Sequence, residues 1–132
     1  MDTAQLSTFD LFAGLDDDAM ATIAAKCDEI EVLHATDLTG EGDFAHKFFV
    51  ILDGEVDVSR DGEKIDTMAA GDFFGEVGLL TNAKRNARVM SRGRVRLAKI
   101  MHWDFNELAE QFPVLIERLE AVVAARGGDL DS

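Results

Sequence analysis

Residues 71 to 90 read GDFFGEVGLLTNAKRNARVM, and the rest of the chain is organised around them. Gly71 precedes two aromatics, Phe73 and Phe74. Gly75-Glu76 then opens a short apolar run, Val77 to Leu80, long enough for one or two helical turns, with Asn82 as a stop. Arg85 follows, leading into Ala87 and Val89, which read as a returning strand. A glycine before a helix lets the backbone approach a ligand closely. The free N–H groups and the dipole of a first helical turn favour a phosphate. A downstream arginine can close over that phosphate with a planar, permanently charged fork. Glu76 is useful in such a cradle only if it receives donors, and sugar hydroxyls are donors. Phosphate plus sugar hydroxyl within a few residues points to a nucleotide.

The surrounding chain has 132 residues and 47% hydrophobic content, enough for one folded domain. Its single cysteine, Cys27, excludes an internal disulfide, and its apolar helical setting predicts a buried thiol. The acidic N-terminus lacks the apolar core of a signal peptide, and no apolar run approaches the roughly 18 residues of a membrane span. A cytoplasmic protein without a membrane partner is expected. The net charge of −13 argues against nucleic acid. Within this acidic chain, Lys84, Arg85, Arg88, Arg92, Arg94, Arg96 and Lys99 form one basic island. For Arg92, Arg94, Arg96 and Lys99 the preferred reading is outward positions of a strand. Arg88 is also expected to point outward, because it has the opposite parity to Ala87 and Val89.

On the N-terminal side, Phe9, Leu11, Phe12 and Leu15 can anchor a helical segment. Asp16, Asp17 and Asp18 supply a cap and first-turn acids for an amphipathic helix over 17–27, with Met20, Ile23, Ala24 and Cys27 inward. From residue 29 the period shortens. Strands are predicted at 48–52, 55–59, 64–68, 86–91 and 94–101, with Asp53-Gly54, Asp61-Gly62 and Gly93 as turns. Phe105, Leu108, Ala109 and Phe112 then recur at helical spacing, with Trp103 expected to anchor the helix start. Pro113 breaks that helix and starts another, striped by Leu115, Leu119 and Val122, which Gly127-Gly128 ends. The fold class is α+β: an antiparallel β-roll of jelly-roll type, with an N-terminal helical segment, a short phosphate-binding helix and two C-terminal helices. One domain over 1–132 is expected. It divides into helical segment 1–28, roll 29–101 with the cradle at 71–89, helices 102–126 and tail 127–132. His34, His46 and His102 lack metal-ligand spacing, and no nucleophile–base pair is visible. Neither a metal nor an enzyme activity is expected.

This order of elements resembles the cyclic nucleotide-binding domain family over residues 9–126. The resemblance is carried by Leu11-Phe12-Ala13-Gly14-Leu15, by Glu41-Gly42-Asp43, by the stretch from Phe49 to Val56, and by Gly71-Asp72-Phe73-Phe74-Gly75-Glu76 with Leu79-Leu80 and Arg85. It implies that Arg85 pairs with a cyclic phosphate and that Gly75, Glu76 and Ala87 offer backbone N–H groups. The Glu76 carboxylate would take the ribose 2′-hydroxyl. The implied ligand set is Phe74, Gly75, Glu76, Val77, Arg85, Asn86 and Ala87. Arg126 joins it as a lid that stacks on the base as the last helix closes and buries its stripe; its alternative reading is an ordinary cation near a helix C-terminus. The sequence departs from the family pattern at Gly78 (usually alanine), Lys84 (usually proline), Asn86 (usually a small residue) and Arg88 (often threonine). The expected ligand is cAMP, with cGMP left open by Asn86, and the expected role is a sensor that signals through its C-terminal helices to a protein effector in trans. A homodimer stays open. The alternative is a degenerate domain that binds no nucleotide and acts as a scaffold. DNA binding is not expected, because relatives that bind DNA carry a helix-turn-helix after the long helix and this sequence stops at Ser132.

Overall fold

A computed structural model describes residues 3–38, 47–60, 62–75 and 88–125; within these, the side chains of Arg60 and of residues 122–125 are left aside. The chain begins with helix α1 (Thr3–Ser7), a 3-10 segment (Asp10–Phe12) and helix α2 (Asp17–Ala25). The cap expected at Asp16 is present: its carboxylate accepts the Ala19 N–H at 2.8 Å. Met20, Ile23, Ala24 and Cys27 are buried, as their spacing requires. Leu11 and Phe12 are buried beside them, with Phe9 and Leu15 packed at the edge. The sequence reading did not single out α1, whose Leu6 is fully buried.

Five strands follow: β1 (Asp28–Val32), β2 (Lys47–Arg60), β3 (Glu63–Ala69), β4 (Phe73–Gly75) and β5 (Arg88–Met101). All pairings are antiparallel, in the order β1-β5-β2-β3, with β4 also on β2. The other edge of β2 is therefore shared: β4 takes Phe48 to Val50 and β3 takes Glu55 to Arg60.

Two predicted turns are corrected. Asp53-Gly54 does not end a strand. Residues 48–52 and 55–59 belong to one strand, β2, whose register with β5 shifts on both sides of Asp53. Gly54 has φ +95°, and a Cβ there would lie 2.6 Å from the Arg94 carbonyl oxygen. Asp53-Gly54 is thus a bulge. A Gly in the left-handed region serves a bulge as well as a hairpin, so the dipeptide alone does not separate them. The same holds for Gly93, φ +70°, through which β5 runs unbroken. The turn at Gly62 stands: Gly62 has φ +82° and lies between the paired residues Arg60 and Glu63, while Asp61 is outside the described residues.

The bulge has a consequence for the interior. Before it, the odd residues Phe49 and Ile51 enter one apolar cluster; after it, the even residues Val56 and Val58 enter the same cluster. Side chains alternate faces along a strand, so only an irregularity lets both halves of β2 face one interior. Phe48, Val50 and Leu52 face the other way, into a second cluster with the helices. The roll interior and the helix-side core thus share β2 as their common wall.

Helix α3 (His102–Gln111) and helix α4 (Val114–Ala125) close the chain, separated at Pro113 as predicted. Phe105 and Leu108 are buried, whereas Trp103 is 56% exposed. The expected anchoring role of Trp103 is therefore wrong. Trp103 precedes Phe105 by two residues, roughly 200° around a helix at 3.6 residues per turn, so burying Phe105 turns the indole outward. Leu115 and Leu119 are also buried, against the N-terminal segment and the roll. Leu115 and Leu119 of the predicted stripe thus already have a partner in this structure, which the pattern could not reveal because it shows which face is apolar but not what it meets.

Candidate nucleotide site

The approach to the cradle is built on Ile51. Its carbonyl accepts the Gly71 N–H and its own N–H donates to the Asp72 carbonyl, each at 2.9 Å. Gly71 turns the chain at φ +94° with the Phe9 ring against it. The Asp72 carboxylate accepts the Ala69 N–H at 3.0 Å and closes the turn. Both halves of the connection are thereby clamped to β2, and β4 leaves it in fixed register: Phe73 opposite Val50, Phe74 opposite Phe49, Gly75 opposite Phe48.

Alternation along β4 divides the two aromatics. Phe73 goes to the helix side, its ring 5.6 Å from that of Phe48. Phe74 goes to the roll interior, 4% exposed, stacked on Phe49 at 5.2 Å. Of the residues singled out from the sequence, Phe74 and Gly75 thus sit on one strand, with Phe74 forming part of the interior wall. Glu76, Val77, Arg85, Asn86, Ala87 and Arg126 lie outside the described residues, as do the departures at Gly78 and Lys84.

Arg88, Arg92 and Arg94 form an outward strand face as expected, whereas Arg96 is half-buried and bonded to Gln5 of α1, which corrects its outward reading, and Lys99 is half-buried. Arg88 is exposed and lies 3.8 Å from Asp37. Arg92 and Arg94 reach Asp57 and Glu31, each at 2.7 Å. Exposed pairs of this kind contribute at most about 1 kcal/mol. Desolvation is the largest single influence on the Asp57 carboxyl and pushes it up, but the hydrogen bonds and charges of Arg92 and Lys64 together outweigh it and hold the group below its ordinary 3.8. The position of Arg88 agrees with its strand parity and gives it no described contact with the interior.

Four polar residues make contacts that the sequence reading did not assign. Ser91, 3% exposed, has the parity of Val89 and Val95, so a polar residue at an inward position was the available signal. Its hydroxyl donates to the Leu33 carbonyl and accepts the Thr36 N–H, pinning the turn that contains Ala35 at φ +62°. His34 adds to that turn by accepting the Gly93 N–H at Nδ1, 2.9 Å away. Gln5 ties α1 to the roll, donating to the Leu52 carbonyl at 2.8 Å and accepting from Arg96 at 3.0 Å. Arg118 of α4 donates to the carbonyls of Asp10 and Leu11 at 3.2 and 2.9 Å. The last two contacts join residues far apart in sequence, where no local pattern could reveal them.

Burial pushes the Cys27 thiol up to about 12, and its Sγ donates to the Ile23 carbonyl. It is a structural cysteine. Among the described residues, no three His, Cys, Asp or Glu side chains form a group that could hold a metal. No described helix is long and apolar enough to cross a membrane.

The model of the cyclic nucleotide-binding domain matches residues 29–112. The chain belongs to the cyclic nucleotide-binding domain family. Over 122 residues it is 31% identical to the human potassium/sodium hyperpolarization-activated cyclic nucleotide-gated channel 4, covering 92% of this chain and 10% of the channel. It is 33% identical over 92 residues to the cAMP-dependent protein kinase regulatory subunit of Schizosaccharomyces pombe, covering 69% and 21%. The chain therefore spans only a small part of these relatives. Among solved structures, the regulatory domain of Toxoplasma gondii protein kinase A with cAMP superposes with a TM-score of 0.77 at 18% identity, covering 94% of this chain and 48% of that one. The Thermus thermophilus catabolite activator protein gives 0.74 at 21%, covering 92% and 59%. At these identities the likeness concerns the fold, an antiparallel β-roll with flanking helices.

Proposed function

We propose that this chain is a non-catalytic sensor domain, spanning residues 1–132, that binds a 3′,5′-cyclic nucleotide, with cAMP the expected ligand and cGMP the alternative. The carrying observation is the delivery of Gly75 by a strand whose approach is clamped to Ile51 and whose Phe74 lines the roll interior. That strand places a glycine directly before Glu76, where the family pattern needs close backbone approach to a phosphate. In this reading Arg85 pairs with the cyclic phosphate, and the N–H groups of Gly75, Glu76 and Ala87 hydrogen-bond it. The Glu76 carboxylate holds the ribose 2′-hydroxyl. Phe74, Val77 and Asn86 complete the pocket, and Arg126 covers the base. The names of the relatives, a cyclic nucleotide-gated channel and a cAMP-dependent kinase regulatory subunit, support the ligand class.

The output is a change in the C-terminal helices, read by a protein effector in trans in the cytoplasm, without nucleic acid or membrane partners. The rival is a scaffold domain that has lost its ligand, to which Gly78, Lys84, Asn86 and Arg88 give substance. Titration calorimetry with cAMP, cGMP and 5′-AMP separates the two. Saturable binding of a cyclic nucleotide, with 5′-AMP much weaker, is expected. No heat and no thermal shift with either cyclic nucleotide at millimolar concentration would leave the scaffold reading.

A further inference from the structure

The pairing of three strands lays out one wall of the roll interior row by row. Val58 of β2 lies opposite Val89 of β5 on one side and Asp66 of β3 on the other. Directly opposed residues share a face of the sheet, and Val58 and Val89 are buried in the interior cluster. Asp66 therefore has an inward position. The next row, Ser91, Val56 and Met68, is buried throughout. Among the residues of these two rows Asp66 alone carries a charge. Its neighbour Thr67 turns the other way, donating its hydroxyl to Asp57 at 3.3 Å. One Asp66 oxygen accepts the Thr67 N–H at 2.8 Å, and no described residue donates to the other. Because β3 is the last strand in the order, the exposed Asp66 side chain stands at the rim of an apolar wall.

At the other end of that row, Val89 comes four residues after Arg85 in the chain. Two strand spacings, about 10 Å, separate the backbones of Val89 and Asp66. A nucleotide whose phosphate is held on the β5 side can lay its base over Val58 and Met68, with the far edge of the base toward Asp66. We propose that Asp66 reads the base and selects the exocyclic amino group of adenine. A carboxylate only accepts hydrogen bonds. Adenine presents an amino donor at its 6-position, where guanine carries a carbonyl oxygen. Asp66 therefore favours cAMP and disfavours cyclic nucleotides with a 6-carbonyl, cGMP and cIMP. The assignment adds a specificity-determining residue to the phosphate and ribose contacts. It rests on the cyclic nucleotide reading of the roll interior.

The test is titration calorimetry on the full chain with cAMP, cGMP, cIMP and purine riboside 3′,5′-cyclic monophosphate, whose 6-position carries only hydrogen. The parent should bind cAMP at least about five-fold more tightly than the other three. Asp66→Ala should weaken cAMP by about five- to ten-fold, at or below the low end for a hydrogen bond to a charged group because the side chain is exposed. It should leave the purine analogue within about two-fold of the parent. Any of three results overturns the assignment and leaves the sensor reading standing: a parent that binds cGMP or cIMP as tightly as cAMP, an Asp66→Ala variant that binds cAMP as well as the parent, or equal losses for cAMP and the purine analogue, the mark of a merely structural role. A parent that binds none of the four overturns both readings together.

Discussion

Replacing Gly54 with alanine tests the bulge that turns both halves of β2 toward one interior. Two costs add at this position. An alanine at φ +95° is strained by about 1–2 kcal/mol. The new Cβ would also meet backbone, 2.6 Å from the Arg94 carbonyl oxygen and 3.1 Å from the Val95 Cα. Neither atom belongs to a flexible side chain, so the strands must part, at about 1–3 kcal/mol by analogy with overpacked cores. Reduced freedom of the unfolded chain returns about 0.4–1 kcal/mol. The net loss is then about 2–4 kcal/mol. Gly62 is the control: its φ of +82° carries the strain, but nothing lies within 4 Å of its Cβ. Gly62→Ala should cost about 1 kcal/mol. Urea unfolding at equilibrium reads both, and the melting temperature should fall by about 3–5 °C per kcal/mol at this chain length. If Gly54→Ala unfolds at the same urea concentration as Gly62→Ala, the close approach of β5 at the bulge is not what fixes that glycine.

Arg85→Ala should weaken cAMP by about ten- to a hundred-fold, as expected for a hydrogen bond to a charged group, whereas Arg88→Ala should do little; calorimetry that finds the two alike refutes the parity reading of Arg88. Glu76→Gln should weaken cAMP but hardly affect 2′-deoxy-cAMP, and equal losses for the two ligands would remove Glu76 from the ribose. Asp57 has a folded pKa below its unfolded value, so its contribution to stability is present above about pH 4 and is lost as pH falls through the folded value. Arg92→Ala should flatten that part of a stability–pH curve, and an unchanged acid limb would show that the pair is idle. Cys27 should resist alkylation in the native protein near neutral pH and react at the rate of unfolding, because burial raises its thiol to about 12; rapid labelling would place the thiol at the surface.

Helical spacing placed Ile23, Cys27, Phe105 and Leu108 inward, and each is buried, because a 3.6-residue period leaves an amphipathic helix one way to face a core. Strands β2, β3 and β5 were legible from their alternation, but β1 and β4 were not singled out, and strand continuity was not legible. Asp53-Gly54 and Gly93 carry the dihedral signature of turns, and whether a chain reverses or bulges there is decided by the partner strand, which no local window contains. Phe74 and Gly75 were found from the family pattern, yet what fixes them is the pair of backbone bonds at Ile51, about twenty residues away in sequence.

The same limit applies to α4, and it changes how a switch must be built. The sequence alone allows its stripe to lie open until ligand arrives. Leu115 and Leu119 are instead 1% and 0% exposed against the N-terminal segment, and Arg118 holds two carbonyls of the 3-10 turn. Moving α4 therefore requires breaking contacts before making others. Two buried leucines and an arginine nitrogen shared between two carbonyls amount to several kcal/mol, at about 1.5–3 kcal/mol per buried leucine side chain. A cation–π contact between Arg126 and a base supplies only about 0.5–2 kcal/mol. A ligand can shift an equilibrium only by its differential affinity for the two states. The lid contact alone cannot detach the whole helix. The response expected of α4 is a movement of its C-terminal end about a docked base at Leu115 and Leu119, with the N-terminal segment carried along wherever the docking holds.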